Sequence, residues 1–343
     1  MKFGPLPIAE SEGVFLAKAI RRPGLTLRKG EWIGAGQIAA LQAAHIAEIV
    51  AARIEPGEVD ENTAALSLAR SVAGANLHIA ETVTGRCNLI SGCAGVLVLD
   101  AAVIDRVNMV DEAITLATLA PFRRVAEGDM TATVKIIPFA VSAMALDRAR
   151  VTAAEAPLRI APFRPLRVGV VSTLLPESKI SVVAKALRTL DERLMPTGCK
   201  IAIDECAPHA TDPLASALRR IEGASDLIVI FGARAITDRR DVVPSAIEKA
   251  GGRIKHFGMP VEPGNLLLLG SLPGEGEGKQ VIGAPGCARS PKKNGFDFVL
   301  DRILAGLPMR SEDIRRMGVG GLLVENATHA AQPGVVSPDA SVE

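Results

Sequence analysis

The chain has 343 residues, of which 48% are hydrophobic and 22% charged, with a net charge of +1. That length allows two or three domains with a sizeable core, and the balanced charge excludes a general nucleic-acid or membrane-surface binder, which needs a basic excess. Aromatic residues make up 3%, with no Tyr and one Trp, which leaves no stacking platform for bases.

The N-terminal MKFGPLPIAESEG has no apolar core of signal-peptide length. Residues 27–33 (LRKGEWI) are expected to form a short strand and turn. Residues 36–44 suit a helix with Ile38 and Leu41 on one face, and 46–54 (IAEIVAARI) alternate as a strand does. Residues 60–73 read as a helix with Asp60 as N-cap, 113–119 and 131–139 as strands, and the alanine-rich 140–154 as a helix. Apolar runs such as AGVLVLDAAVIDRV are cut by charge well short of a membrane span. Residues 156–165 (APLRIAPFRP) carry three prolines and no periodicity. They are expected to link a mixed α+β N-terminal domain, 1–155, to a second domain, 166–310.

In the second domain apolar strands alternate with amphipathic helices. Strands are expected at 166–172, 200–206, 226–231, 253–259, 266–271 and 281–284, and helices at 181–193, 212–221, 242–250 and 295–305. Asp212-Pro213 looks like an N-cap followed by a first-turn proline. This pattern predicts an α/β fold, a doubly wound, mainly parallel sheet covered on both faces. Beyond it, 311–343 is a C-terminal extension. Residues 317–323 (MGVGGLL) should dock back onto the body, and the polar, proline-containing end from Ala327 should be disordered.

In such sheets ligands sit at the carboxyl ends of the strands, here 172–179, 206–212, 231–241 and 284–293. The stretch 231–244 (FGARAITDRRDVVP) is a strand end, a loop with three arginines, and a helix start at Asp241. Such a loop turns backbone N–H groups, guanidiniums and a helix dipole toward an anion. Around it the strand ends would gather hydroxyls (Ser172, Thr173, Ser178), Lys179, carboxylates (Asp212, Asp238, Asp241), arginines (Arg234, Arg239, Arg240) and a basic trio (Arg289, Lys292, Lys293). Two Pro-Gly turns, Pro263-Gly264 and Pro285-Gly286, would complete the rim. Basic groups beside carboxylates suit a phosphate ester whose charge is shared with Mg²⁺. Asp241 and Asp212 also suit plain helix caps, and the Pro-Gly pairs plain turns. Basic neighbours of Cys287 would lower its thiol pKa. His209, at a strand end, reads as an ordinary loop histidine. The five cysteines show neither zinc spacing nor a disulfide framework, which suits a reducing cytoplasm.

These residues resemble the molybdopterin-binding domain of molybdenum-cofactor biosynthesis, the family that includes gephyrin. Its loop reads roughly G-G-T-G-x-x-x-R-D-V-T-P-E-A. Here Gly232-Ala233-Arg234-Ala235 takes the place of the glycine-rich stretch, and Arg240-Asp241-Val242-Val243-Pro244-Ser245-Ala246 follows R-D-V-x-P-x-A. The family's P-G-K-P turn looks like Pro263-Gly264-Asn265-Leu266, and its L-P-G-N-P-x-S turn like Ala284-Pro285-Gly286-Cys287-Ala288-Arg289-Ser290. Asp212 looks like the acidic residue that opens a helix before the loop. Leu27-Arg28-Lys29-Gly30 is similar to the segment preceding this domain in molybdotransferase-type members. The stretch from Gly85 to Phe139 is similar to an elaboration in bacterial members. Some of those carry a fused nucleotidyltransferase module, whose G-x-S-x-R-M-G loop is missing here.

The resemblance implies molybdopterin as substrate or ligand, with Asp241 and Asp212 as catalytic candidates and Asp241 holding Mg²⁺. The implied binding set is Ser172, Thr173, Ser178, Lys179, Gly232, Ala233, Arg234, Thr237, Asp238, Arg240, Pro263, Gly264, Asn265, Pro285, Gly286, Cys287, Ser290 and Lys292. A transferase would adenylylate molybdopterin from ATP or insert molybdate. A non-catalytic carrier would deliver cofactor to other cofactor-biosynthesis proteins or molybdoenzymes. The A-M-D-G-Y-A signature of molybdenum-inserting members is missing. A third reading is an unrelated nucleotide or sugar-phosphate enzyme. No nucleic-acid or membrane partner is expected, and a homodimer is.

Overall fold

A computed structural model describes residues 1–274, 276 and 278–323. The expectation of a disordered end lies outside them. The chain divides into two compact units, Met1–Pro162 and Phe163–Glu343. Both mix helices with sheets.

In the first unit, a four-stranded antiparallel sheet combines Lys2–Pro7, Glu48–Arg53, Val14–Leu16 and Trp32–Ile33. Helix Ala35–Ala43 supplies Leu41 to the core beside this sheet. A second antiparallel sheet orders Ile114–Thr118, Met130–Ile136, Arg86–Ser91 and Leu77–Ile79. Helix Glu61–Val72 buries Ala64, Ala65, Leu68, Ala69 and Val72, one helical face, in the same core as that sheet. Asp60 caps this helix, accepting N–H bonds from Asn62 and Thr63, as its residue type predicts. The apolar run AGVLVLDAAVIDRV resolves into strand Gly95–Val98 and helix Ala101–Asn108, with Asp100 as the N-cap between them.

Two local expectations change. Residues 140–154 are not one helix: Ala140–Ser142 pairs as a strand with Glu58–Asp60, and the helix begins at Ala143 under a Ser142 cap. Arg159–Pro162, inside the stretch read as a linker, is a strand paired with Gly95–Val98. Its prolines do not block this, because Pro162 stands at the strand's end, where a missing N–H costs least.

In the second unit the strands are β1 (Arg167–Leu174), β2 (Lys200–Pro208), β3 (Leu227–Phe231), β4 (Arg253–Phe257), β5 (Leu268–Leu272) and β6 (Lys279–Ala284). They form one six-stranded sheet in the order β2-β1-β3-β6-β5-β4. The pairings β2–β1, β1–β3 and β3–β6 are parallel, while β6–β5 and β5–β4 are antiparallel. A short connection joins β5 to β6, too short for a crossover helix, so that pair must run antiparallel. The helices are α1 (Ile180–Leu194), α2 (Thr211–Glu222), α3 (Val242–Lys249), α4 (Gly295–Leu304) and α5 (Ser311–Arg315).

Alternate strand residues feed two cores. Val168, Val170, Leu227, Val229, Phe231 and Ile282 pack with α1 and α4. Val171, Ile228, Ile230 and Val281 pack with α2 and α3. Every residue of β3 is therefore buried, which is why it reads as an unbroken apolar run. Gly169 on β1 has no room for a side chain, since a Cβ would lie 2.1 Å from Ser225 Oγ. Met317 is buried in the core of α1 and α4 and Leu323 packs against it, so 317–323 does dock on the body. Among the described residues no helix is long and apolar enough to cross a membrane.

Candidate oxyanion site at the strand ends

The parallel run β2-β1-β3-β6 brings four carboxyl ends to one edge of the sheet. A cavity of about 260 Å³ opens there, between β1, β3 and the start of α1. Ser172, Thr173 and Leu174 line it from β1; Ser178, Lys179, Val182, Val183 and Ala186 from the entry and first turns of α1; Phe231 and Ala233 from the end of β3; and Arg289 from the turn after β6. One side is apolar, the other rich in donors.

Ser172 is 3% exposed, and among the described residues its hydroxyl has no hydrogen-bond partner. Leaving such a group unanswered costs about 1–3 kcal/mol. Thr173 is tied in on two sides. Its Oγ1 accepts from the Ala233 N–H at 2.8 Å and lies 2.9 Å from His209 Nδ1. Burial holds His209 below the ordinary histidine pKa, with Arg234 adding to this and Asp241 opposing it. Ser178 turns inward on its own loop, its Oγ accepting from the Leu175 N–H at 2.9 Å. Lys179 sits at the N-cap position of α1 with its side chain making no cap bond.

Arg289 is the cavity's main cation. Its guanidinium donates to Gly232 O at 2.6 Å and stacks 5.5 Å from the Phe231 ring centroid. Burial lowers its pKa, yet an arginine stays charged. Among the described residues no carboxylate pairs with it.

The turn that carries Arg289 is the short 3₁₀ helix Gly286–Arg289. Arg193, near the end of α1, holds this turn from beneath, donating to Ala288 O at 3.0 Å, Ser290 O at 2.7 Å and Asp297 at 2.6 Å. Asn294 Nδ2 donates to Cys287 O and Lys292 O. Ser290 Oγ accepts from the Lys292 N–H, and the Lys292 side chain is exposed. Pro285 is buried, Gly286 exposed and Cys287 half-buried. Burial pushes the Cys287 thiol up, helped by Glu262 and Asp297, so the expected lowering by basic neighbours is reversed.

The loop after β3 faces solvent. Gly232 is confined, since a Cβ there would lie 2.8 Å from Arg234 O. Arg234, Thr237, Asp238, Arg239 and Arg240 are exposed, and Arg240 pairs with Asp238. An exposed pair of this kind contributes little. Asp241 caps α3: one carboxylate oxygen accepts from the Val242 N–H at 2.7 Å, the other from the Thr237 N–H at 3.2 Å. Asp212 does not cap α2. Ala210 holds the N-cap position without a side-chain cap bond, and Asp212 lies in the first turn as an exposed side chain paired with Lys249 of α3. The helix starts two residues earlier than an Asp212 cap implies, and the carboxylate finds a lysine instead.

The Pro263-Gly264-Asn265 turn seats on the start of α4. Gly295 N–H donates to Pro263 O at 2.8 Å, and Asn265 O accepts from the Met259 N–H at 2.9 Å. Gly264 has φ +142°, and a Cβ there would lie 2.7 Å from Gly295 N, so only glycine fits.

The residues present do not fit magnesium. Both oxygens of Asp241 are engaged by backbone N–H groups, Asp238 answers Arg240, and Asp212 answers Lys249. Among the described residues no three His, Cys, Asp or Glu side chains cluster as metal ligands.

Sequence reasoning passed over three contributors: Arg193, the Thr173–His209 contact, and the α1 residues Val182, Val183 and Ala186. The signal for Arg193 is a charge at a core-facing position of an amphipathic helix.

No protein-family model matches the chain, and no curated protein matches it. Among solved structures, the molybdopterin biosynthesis moea protein from Pyrococcus horikosii is similar over 89% of this chain and 75% of its own, at 13% identity and a TM-score of 0.31. A molybdenum cofactor biosynthesis protein from Pyrococcus furiosus is similar over 90% of this chain and 66% of its own, at 11% identity and a TM-score of 0.25.

Proposed function

We propose that this protein binds a phosphorylated pterin of the molybdopterin class in the cavity at the ends of β1 and β3, and acts as a carrier in molybdenum-cofactor synthesis or delivery. The observation behind this is a pair of donors in one cavity: the Ser172 hydroxyl, without a partner among the described residues, and the half-buried Arg289 guanidinium, which bonds Gly232 O and no carboxylate among those residues. A phosphate oxygen would answer both, and charge-assisted bonds of this kind are the strong ones. Lys179 and the N-terminus of α1 add positive potential on the same side. Val182, Val183 and Phe231 offer an apolar wall to a ring. The resemblance of the motifs along 231–290 to the molybdopterin-binding domain is what suggests a pterin as that ester.

Carriage is favoured over magnesium-dependent adenylyl transfer or molybdate insertion by the state of Asp241 and Asp212, whose carboxylates are committed to a cap and an ion pair. The partners would be cofactor-biosynthesis proteins or molybdoenzymes, met in the cytoplasm by a homodimer. The test is mass spectrometry of small molecules released from the purified protein, with ATP turnover assayed alongside. A phosphorylated pterin without ATP consumption is the expected result. Mg²⁺-dependent ATP turnover would restore the transferase, and a nucleotide or sugar phosphate in place of the pterin would replace this reading.

A further inference from the structure

Thr173 has one hydroxyl proton and two neighbours that determine where it goes. The Ala233 N–H donates to Oγ1, so toward that neighbour the oxygen only accepts. The proton is then left for His209 Nδ1, 2.9 Å away. In this arrangement the histidine is neutral, with its proton on Nε2, and the threonine has nothing to give to the cavity it lines. The two side chains meet because β1 and β2 pair in parallel, with Leu174 opposite Pro208 and His209 just beyond. His209 is anchored there by its own N–H, which donates to Leu174 O at 2.8 Å.

We infer that His209 is a positioning residue that couples oxyanion binding in this cavity to the uptake of one proton, through the hydroxyl of Thr173. When His209 gains a proton at Nδ1, that N–H donates to Thr173 Oγ1. The oxygen then accepts twice, from Ala233 and from His209, and its own proton swings into the cavity. There it becomes a further donor beside Ser172 and Arg289. No bond other than hydrogen bonds changes, and the proton comes from solvent. An anion that accepts from Thr173 therefore favours the protonated histidine, and the protonated histidine favours the anion, by the same factor.

The charged groups facing His209 are Asp241, which favours its protonation, and Arg234, which opposes it. Burial keeps it neutral in the empty cavity at neutral pH. The coupling is thus silent until an anion enters or the pH falls. It rests on the reading of the cavity as an oxyanion site, and deepens that reading by giving the site a proton dependence.

The test uses sulfate, which keeps its charge across the range where histidine titrates, with the full chain followed by amide and imidazole NMR. Sulfate affinity in the wild-type protein should rise as the pH is lowered from about 8 to about 5, by up to about tenfold per pH unit between the free and bound His209 pKa values. The bound value should exceed the free one. His209→Gln should abolish the rise, and so should Thr173→Val, while Thr173→Ser, which keeps a hydroxyl, should retain it. A rise that persists in Thr173→Val would overturn the hydroxyl route, and one that persists in His209→Gln would overturn the role of His209. Sulfate that binds at Ser172, Ala233 and Arg289 with no pH dependence would overturn the coupling but leave the oxyanion site standing. Sulfate that perturbs none of these residues at any pH would remove both.

Discussion

Arg193 Nε donates to Asp297 at 2.6 Å, an ion pair between α1 and α4 with the two side chains only 9% and 16% exposed. The rest of the guanidinium holds the carbonyls of Ala288 and Ser290, on either side of Arg289. One buried cation therefore positions the turn from which another reaches the cavity. Removing it leaves Asp297, among the described residues, with only the Asn294 N–H as a donor and frees the turn. Arg193→Ala should destabilise the second unit by about 3–5 kcal/mol, the cost of breaking a buried pair. Arg193→Lys keeps the charge but loses the fork, and should recover only part of that. Thermal unfolding of both variants, with sulfate titration of whichever folds, checks this. Wild-type stability in Arg193→Ala would refute it.

Arg289 itself should matter to the ligand more than to the fold. Its guanidinium makes one backbone hydrogen bond, to Gly232 O, and a ring contact with Phe231. Arg289→Ala should weaken binding of a phosphorylated ligand by about 1–3 kcal/mol. Arg240→Ala and Lys292→Ala should weaken it less, because both side chains are exposed and Arg240 is spent on Asp238. Calorimetric titration of the three variants ranks them, and a larger loss at Arg240 would move the phosphate to the outer loop.

Two histidines give the fold a pH limit. His209 and His256 are both held below the ordinary value of 6.5, chiefly by burial. His256 Nδ1 lies 2.8 Å from Ser311 Oγ, and Arg315 and Arg239 push its pKa the same way. Between 6.5 and their native values the unfolded chain binds more protons than the folded one. The stability they contribute is therefore present above about 6.5 and lost as the pH falls through that window. The Tm should drop between about pH 7.5 and about pH 5.5, and less steeply in His256→Gln. A flat or rising Tm there would contradict the lowered pKa of both rings.

Much of this was legible in the residues. Leu227–Phe231 reads as a central strand because a strand buried on both faces needs no polar alternation. Asp60 and Asp241 read as caps because the helix start needs an acceptor and their side chains reach it. Arg159–Pro162 did not read as a strand, because it owes its form to Gly95–Val98, some sixty residues away in the chain, and not to its own pattern. The Thr173–His209 contact is equally invisible, since only the register of β1 on β2 creates it. Asp212 misled because Asp-Pro is a good local start, and Lys249 on a later helix decides where the carboxylate goes.

Asp241 separates carriage from catalysis. Its two oxygens accept from the Val242 and Thr237 N–H groups, the work of a cap. Asn caps about as well as Asp, so Asp241→Asn should keep the Val242 bond through its amide oxygen. The second oxygen becomes an amide nitrogen that cannot accept from Thr237, which should cost about 1 kcal/mol or less at that exposed position. If the chain is a carrier, affinity for a phosphorylated pterin should hold level or rise slightly, since a negative charge near the anion is gone. No Mg²⁺-dependent turnover should be present in either protein. If Asp241 instead organised a metal on the substrate, turnover measurable in the wild type would fall by orders of magnitude in the variant at unchanged Tm. Parallel measurement of Tm, pterin affinity and ATP turnover distinguishes the cases, and that last pattern would overturn the carrier reading while leaving the cavity in place.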